Sequence, residues 1–104
     1  MEENPWLLLK RNMNSKAFYI FEFSRKAEKE FAKLDPSVQK FLYGKLALLE
    51  KSDNPFEKAI KLANTKNFYR VRFGDYRVIF MPEKRKLLVI LIILKIVNRK
   101  EAYR

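Results

Sequence analysis

The sequence predicts an α+β domain in the order β-α-α-β-β-β, with an N-terminal helical hairpin on one face of a small, twisted, mostly antiparallel sheet. Two stretches of alternating apolar and charged residues flank Gly74-Asp75 and predict a β-hairpin over residues 68–80. Two amphipathic segments follow one another over residues 24–51, and an aliphatic run covers residues 87–94. Because helical and strand patterns come in separate blocks, the chain is assigned to the α+β class.

The predicted hairpin gathers its arginines on one face. A two-residue turn at Gly74-Asp75 would place Arg72 opposite Arg77, with Arg70 on the same face. Like charges directly opposite each other destabilise a sheet, so stability alone does not explain this pattern. Arginine binds phosphate bidentately and stays charged at any working pH, which indicates a phosphate-bearing partner. The plainer alternative is that these charges serve solubility only.

The net charge of the chain also indicates an anionic partner. The 104 residues carry 23 Lys and Arg against 12 Asp and Glu, a net charge of +11. Residues 67–104 hold 10 basic and 3 acidic side chains, so the part with the hairpin is the more basic one. A domain of this charge fits nucleic acid or an acidic protein as its partner.

Cysteine and histidine are both absent. Their absence excludes disulfides, metal sites built on those residues, thiol nucleophiles and imidazole bases. The apolar run at residues 5–9 is too short for a secretory signal, and residues 87–94 fall far below the roughly 20 residues of a membrane helix. The expectation is a soluble cytoplasmic protein without a membrane partner.

The first part of the chain divides into an N-terminal extension, residues 1–15, and a domain over residues 16–104. Residues 16–23 predict a first strand that is partly buried on both faces. Ser24 is a suitable N-cap for the first helix, and Asp35-Pro36 ends that helix and starts the next. The inner residues predicted for the two helices are Ala27, Phe31 and Leu34, then Val38, Phe41, Leu42, Lys45, Leu46 and Leu49.

The pattern is ambiguous in some segments of the second part of the chain. Residues 56–66 fit either a turn of helix or a connection, and residues 82–86 predict a turn after the hairpin. The aliphatic run at residues 87–94 is typical of a strand buried on both faces, followed by a tail from residue 95. Because the helices cover one side of the sheet, the arginine face is expected to be the open, concave side.

Element order, length, hairpin and tail together resemble the RelE/ParE superfamily of bacterial and archaeal toxin–antitoxin toxins, over residues 16–104. The most specific parts are residues 69–79 and 98–104. The resemblance implies a ribosome-dependent mRNA interferase, an endoribonuclease that needs no metal or other cofactor and cuts the A-site codon. In that reaction the ribose 2′-OH attacks the adjacent phosphate and leaves a 2′,3′-cyclic phosphate and a 5′-OH. It also implies three partners: the ribosome, mRNA and a cognate acidic antitoxin.

The resemblance also implies roles for single residues. Arg70, Arg72 and Arg77 match the basic residues of the family's second and third strands, and Tyr103 matches its C-terminal tyrosine. The expected roles are phosphate stabilisation by Arg72 and Arg77, orientation of the phosphate or 2′-OH by Arg70, and nucleotide holding by Tyr103. The residues expected to bind RNA or the ribosome are Arg99, Lys100, Lys61 and Lys66.

Asn98 stands where many relatives carry histidine, and arginine is a poor general base. The proton acceptor is then Tyr103, a phosphate oxygen, a ribosomal RNA group, or absent, in which case the enzyme would be slow or inactive. Two other functions remain open for the same fold. One is a ParE-like poison of DNA gyrase without RNA chemistry, and the other is a basic nucleic-acid-binding module without catalysis.

Overall fold

The structure, a computed structural model, describes residues 18–86 and 88–98. The predictions made for residues 1–17, for Leu87 and for residues 99–104 lie outside the described residues. The elements are β1 (Tyr19–Phe23), α1 (Arg25–Ala32), α2 (Pro36–Lys51), β2 (Ile60–Lys61), β3 (Tyr69–Phe73), β4 (Tyr76–Arg85) and β5 (Leu88–Asn98).

The predicted fold class is confirmed. One sheet has the strand order β1-β5-β4-β3-β2, in which β1 runs parallel to β5 and the other pairs are antiparallel. The strand β2 is additional to the predicted order. It is only two residues long and pairs with Arg70 and Tyr69 of β3. A strand this short has no alternation that a sequence pattern could reveal.

The helical hairpin begins and ends close to its predicted residues. The Ser24 hydroxyl accepts a hydrogen bond from the Ala27 N–H at 3.1 Å, which confirms the predicted N-cap. Pro36 is the first residue of α2, as predicted, while the Asp35 side chain makes no capping hydrogen bond. Leu34 was predicted on the inner stripe of the first helix and lies just after α1 ends.

The core lies between the helices and one face of the sheet. Ala27, Leu42 and Leu46 from the helices are almost fully buried. They belong to one cluster with the inward residues of four strands, among them Tyr19, Val71, Val78, Phe80, Leu91 and Ile93. Side chains alternate between the two faces along β1, β3 and β4, so the other residues of these strands face away from the helices.

Two burial predictions are corrected. Phe41 was placed on the inner side of the second helix, but it is 42% exposed and lies beside Gly74 instead. β1 was expected to be partly buried on both faces, yet Ile20 is 38% exposed and Glu22 is exposed. The helices cover a single face of the sheet, which leaves Ile20 and Glu22 exposed on the other. Phe41 lies where α2 reaches the hairpin turn, and the space between them stays open.

The predicted turn at residues 82–86 is also wrong. Residues 82–85 continue β4, and the chain turns at Lys86, which has a φ of 51°. Pro82 is tolerated in the strand because the first residue of β3, Tyr69, pairs with Phe80. No residue of β3 therefore lies opposite Pro82 to need a hydrogen bond from its nitrogen. The carbonyl of Pro82 accepts a hydrogen bond from the Asn67 side chain at 3.4 Å on that side.

The aliphatic run does form a strand between β1 and β4, as predicted, with Val89, Ile90, Leu91 and Ile93 buried. The strand continues to Asn98, so residues 95–98 belong to the sheet and not to a tail. The ladder between β4 and β5 is irregular at Ile79 and Phe80, where Leu94 is an extra residue in β5. Among the described residues, no helix is long and apolar enough to cross a membrane.

Candidate nucleic-acid interface

The hairpin of β3 and β4 has the predicted register. Phe73 pairs with Tyr76 around the two-residue turn, and Arg72 pairs with Arg77. Gly74 has a φ of 59° and no positive φ is found at Asp75, which is the pattern of a type II′ turn with glycine first. A type II′ turn matches the twist of the strands, so the turn fixes the register that brings the two arginines together.

Three arginines therefore share the face of the sheet that the helices leave open. Arg72 is exposed, and Arg70 and Arg77 are half-buried. Arg72 and Arg77 form a non-hydrogen-bonded pair next to the pair that closes the turn, so their Cβ atoms lie about 4.5–5.5 Å apart. Arg70 lies two residues along the same strand, about 7 Å away.

A fourth cation joins this face. Lys95 of β5 pairs with Ile79, and Ile79 pairs with Arg70 on its other side, so the three residues form one row across the sheet. Lys95 is exposed. The sequence analysis missed it because alternation in β5 changes phase at Leu94, and an extra residue in a strand leaves no mark in the sequence pattern. We call Arg70, Arg72, Arg77 and Lys95 the basic face.

Helix α1 holds the part of β5 that carries Lys95. The Glu30 carboxylate accepts a hydrogen bond from the Ile96 N–H at 3.0 Å. That N–H is available because β1 ends at Phe23, where the Ser24 N–H donates to the Ile93 carbonyl at 2.9 Å. A charge-assisted bond to a backbone donor is among the stronger hydrogen bonds, so the basic face is fixed from the helix side.

At the other end of the open face, the positive charge is accompanied by acidic side chains. Arg85 lies on the same side of β4 as Arg77, eight residues further on, and its guanidinium contacts Glu83 at 2.6 Å and Glu22 at 3.5 Å. The arginine at this end is therefore neutralised by two carboxylates. At the basic end, the residues of β3, the turn and β4 from Tyr69 to Val78 contain only one acid, Asp75.

The remaining predicted site residues are spread out. Lys61 is exposed and pairs with Tyr69, so it shares the side of Tyr69 and not that of Arg70. Lys66 is exposed in the loop between β2 and β3. The predicted residues Arg99, Lys100 and Tyr103 lie outside the described residues.

A groove beside the basic face was not predicted. It has a volume of about 390 Å³ and lies between α2, the segment before β2, and the end of β3. Phe41 and Leu48 supply apolar walls and are 42% and 61% exposed. Lys45, Lys58 and Arg72 bring positive charge to it. Arg72 thus belongs both to the groove and to the basic face.

A small α+β sheet with a helical hairpin on one side is the fold of the solved RelE toxins. Residues 21–103 match the family model of the ParE toxin of type II toxin–antitoxin systems, parDE. The chain therefore belongs to the ParE toxin family, within the RelE/ParE superfamily. As a member of this family it is a toxin of a type II toxin–antitoxin system.

Solved structures agree with this assignment. The chain is 29% identical to the archaeal RelE in its complex with RelB from Pyrococcus horikoshii, with a TM-score of 0.60 over 78% of this chain and 94% of that one. The isolated RelE toxin of E. coli is 28% identical, with a TM-score of 0.57 over 82% and 90%. The toxin–antitoxin complex RelBE2 of Mycobacterium tuberculosis has a TM-score of 0.65 over 80% and 93% at 20% identity, which shows the fold alone. A search of curated proteins gave no match.

Proposed function

We propose that this toxin is a ribosome-dependent endoribonuclease that cuts mRNA in the ribosomal A site and so inhibits translation, which places its action in the cytoplasm. The observation that carries the proposal is the basic face, in which Arg72 lies directly opposite Arg77 and Lys95 joins Arg70 in the neighbouring row. Cations gathered on one open face suit an anionic ligand, and arginine binds phosphate bidentately. The 25–29% identity to RelE proteins supports the same choice.

The chemistry assigned to the face is attack of the ribose 2′-OH on the adjacent phosphate. The 2′-OH gives up its proton, the phosphorus–oxygen bond to the next nucleotide breaks, and the departing 5′ oxygen takes up a proton. The products are a 2′,3′-cyclic phosphate and a 5′-OH. Arg72 and Arg77 stabilise the negative charge that grows on the phosphate oxygens, and Arg70 orients the phosphate or the 2′-OH. In the same proposal Tyr103 holds the nucleotide.

The other cations serve binding. In this proposal Arg99 and Lys100 bind the RNA or the ribosome. Lys61 and Lys66 add long-range attraction, which needs no shared face because the potential of a +11 protein extends about a Debye length from its surface. Ile79 lies between Arg70 and Lys95, and its apolar side chain can contact the sugar or the base.

A second candidate function is poisoning of DNA gyrase. The observation that favours it is the match to the ParE family model. The resemblance to ParE-like toxins implies binding to gyrase without RNA chemistry. The two functions predict different lesions in the cell, one in mRNA and the other in DNA.

Induction of the toxin in cells distinguishes them. We expect new mRNA 5′ ends inside translated codons, and these ends should carry 5′-OH groups, so that they accept an adaptor only after treatment with a kinase. The ends should disappear when translation of the message is prevented by removing its start codon. Gyrase cleavage complexes without new mRNA ends would instead establish the second function.

The antitoxin is the proposed regulator. The groove and the basic face together offer apolar walls and positive charge, which suit an acidic, partly disordered chain that folds on binding. The likeness to RelE proteins solved with RelB supports such a partner. By covering the groove and Arg72, the antitoxin would also keep RNA away from the basic face.

The antitoxin interface is predicted to be sensitive to salt. The affinity of the toxin for its cognate antitoxin should fall steadily as ionic strength rises, since exposed charges are screened. Lys58→Gln should reduce this dependence, whereas Lys86→Gln, at the far end of β4, should leave it unchanged. Titration calorimetry at several salt concentrations measures both. An affinity that does not vary with salt would rule out an electrostatic interface.

A further inference from the structure

A second cleft lies at the end of the sheet where the described chain enters β1. Its volume is about 430 Å³, and its walls include Tyr19, Phe56, Tyr69, Pro82 and Val89. It is on the helix side of the sheet, so it is separate from the basic face. We call it the aromatic cleft. Neither the family assignment nor the proposed function gives it a role.

Ring contacts build the wall of the aromatic cleft. The Phe56 ring lies 4.9 Å from Tyr69, 5.8 Å from Phe80 and 6.3 Å from Tyr19, measured between centroids. Burial raises the pKa of the Tyr19 hydroxyl above its ordinary value, as expected for a wall that is largely removed from water. Such a surface favours another aromatic or aliphatic group.

This chain carries a segment of that chemistry close by. Residues 5–9 read Pro-Trp-Leu-Leu-Leu and include the only tryptophan of the protein. The described chain begins at Phe18, whose carbonyl accepts a hydrogen bond from the Val89 N–H at 3.0 Å, at the wall of the cleft. The 11 residues between Trp6 and Phe18 can span up to about 40 Å, so the segment reaches the cleft easily.

The segment is also additional to the toxin domain. The family match begins at residue 21, and the archaeal RelE is covered over 94% of its length by only 78% of this chain. We propose that Trp6 and the leucines after it occupy the aromatic cleft of the same molecule.

The position of Trp6 can be measured directly. Because it is the only tryptophan, the fluorescence of the full-length protein reports its surroundings alone. We expect an emission maximum shifted to the blue of free tryptophan, slow quenching by acrylamide, and a red shift on unfolding in urea. The fluorescence measurement does not depend on toxicity. It can therefore be made on the Arg77→Ala protein, which we expect to be folded and non-toxic. Emission at the wavelength of free tryptophan would overturn the proposal.

A spin label locates the site, because the chain lacks cysteine and a single new thiol is labelled uniquely. A nitroxide on Lys84→Cys, at the cleft, should quench Trp6 strongly. A nitroxide on Lys58→Cys, at the groove beside α2, is the matched control and should quench it weakly. Both lysines are exposed, so neither change threatens the fold. Equal quenching from the two positions would contradict the assignment.

Dilution identifies the molecule that supplies the segment. With the segment of the same chain in the cleft, emission and quenching should stay constant over a hundredfold range of protein concentration. A red shift on dilution would mean that a second copy supplies it, and a blue shift seen only after addition of antitoxin would mean that the free cleft is empty. Either result overturns the proposal, while neither bears on whether the toxin cuts RNA.

Discussion

Arg77→Ala is expected to abolish toxicity while the protein keeps its fold. Arg77 lies opposite Arg72 and half-buried, in the position from which we propose it stabilises the charge on the phosphate. Removal of one such group typically lowers a rate by about 10²–10³-fold. Arg77 is not part of the buried core, so the variant should keep its fold. Growth after induction and the yield of new mRNA 5′ ends measure the effect.

Arg85→Ala is the matched control for that variant. Arg85 is also an arginine of β4 on the open face, but it is paired with Glu22 and Glu83 and lies about 26 Å along the strand from Arg77. Its removal should leave toxicity unchanged. Circular dichroism should show that both variants are folded. If Arg77→Ala remained fully toxic, Arg77 would have no part in the mechanism.

Phe80→Ala should have the largest effect on stability. Phe80 is completely buried at the centre of the sheet, with ring centroids of Phe56 and Tyr69 both 5.8 Å away. Truncation of a buried phenylalanine typically costs about 3–5 kcal/mol, because transfer free energy is lost and a cavity remains. That is a large fraction of the roughly 5–15 kcal/mol that stabilises a domain. Urea unfolding followed by circular dichroism gives the free energy of unfolding.

Phe18→Ala removes the same side chain where it is 39% exposed, just before β1. We expect a loss of about 1 kcal/mol or less, because less surface is taken from water and no cavity forms. Since Phe18 joins the sheet through its backbone carbonyl, that hydrogen bond survives the substitution. Similar losses in the two variants would mean that the core does not depend on the ring cluster around Phe80.

The hairpin shows how far sequence reasoning reaches. Two alternating runs around Gly74-Asp75 admit one register, because a shift by one residue would put Val71 and Val78 on opposite faces of the sheet. The structure has that register. The Ser24 cap and the start of the second helix at Pro36 were predictable for a similar reason, since each depends on residues next to it in the chain.

Other features depend on residues far apart in the chain. The two-residue β2 forms by pairing with the free edge of β3. Pro82 can remain in β4 because the pairing between β3 and β4 does not extend beyond Phe80. Phe41 is exposed because α2 extends past the covered part of the sheet. Lys95 reaches the basic face only through the irregular ladder between β4 and β5. None of these has a local signature.

The sequence by itself determined the class of fold and the hairpin with its paired arginines, because alternation and turn residues are local patterns. It also determined the excess of positive charge, which is a count of residues. The tertiary structure decided which face the helices cover, which cation completes the basic face, and where clefts form. Those outcomes follow from the packing of distant segments and from a single extra residue in β5, and packing of this kind is settled only when the whole chain is folded.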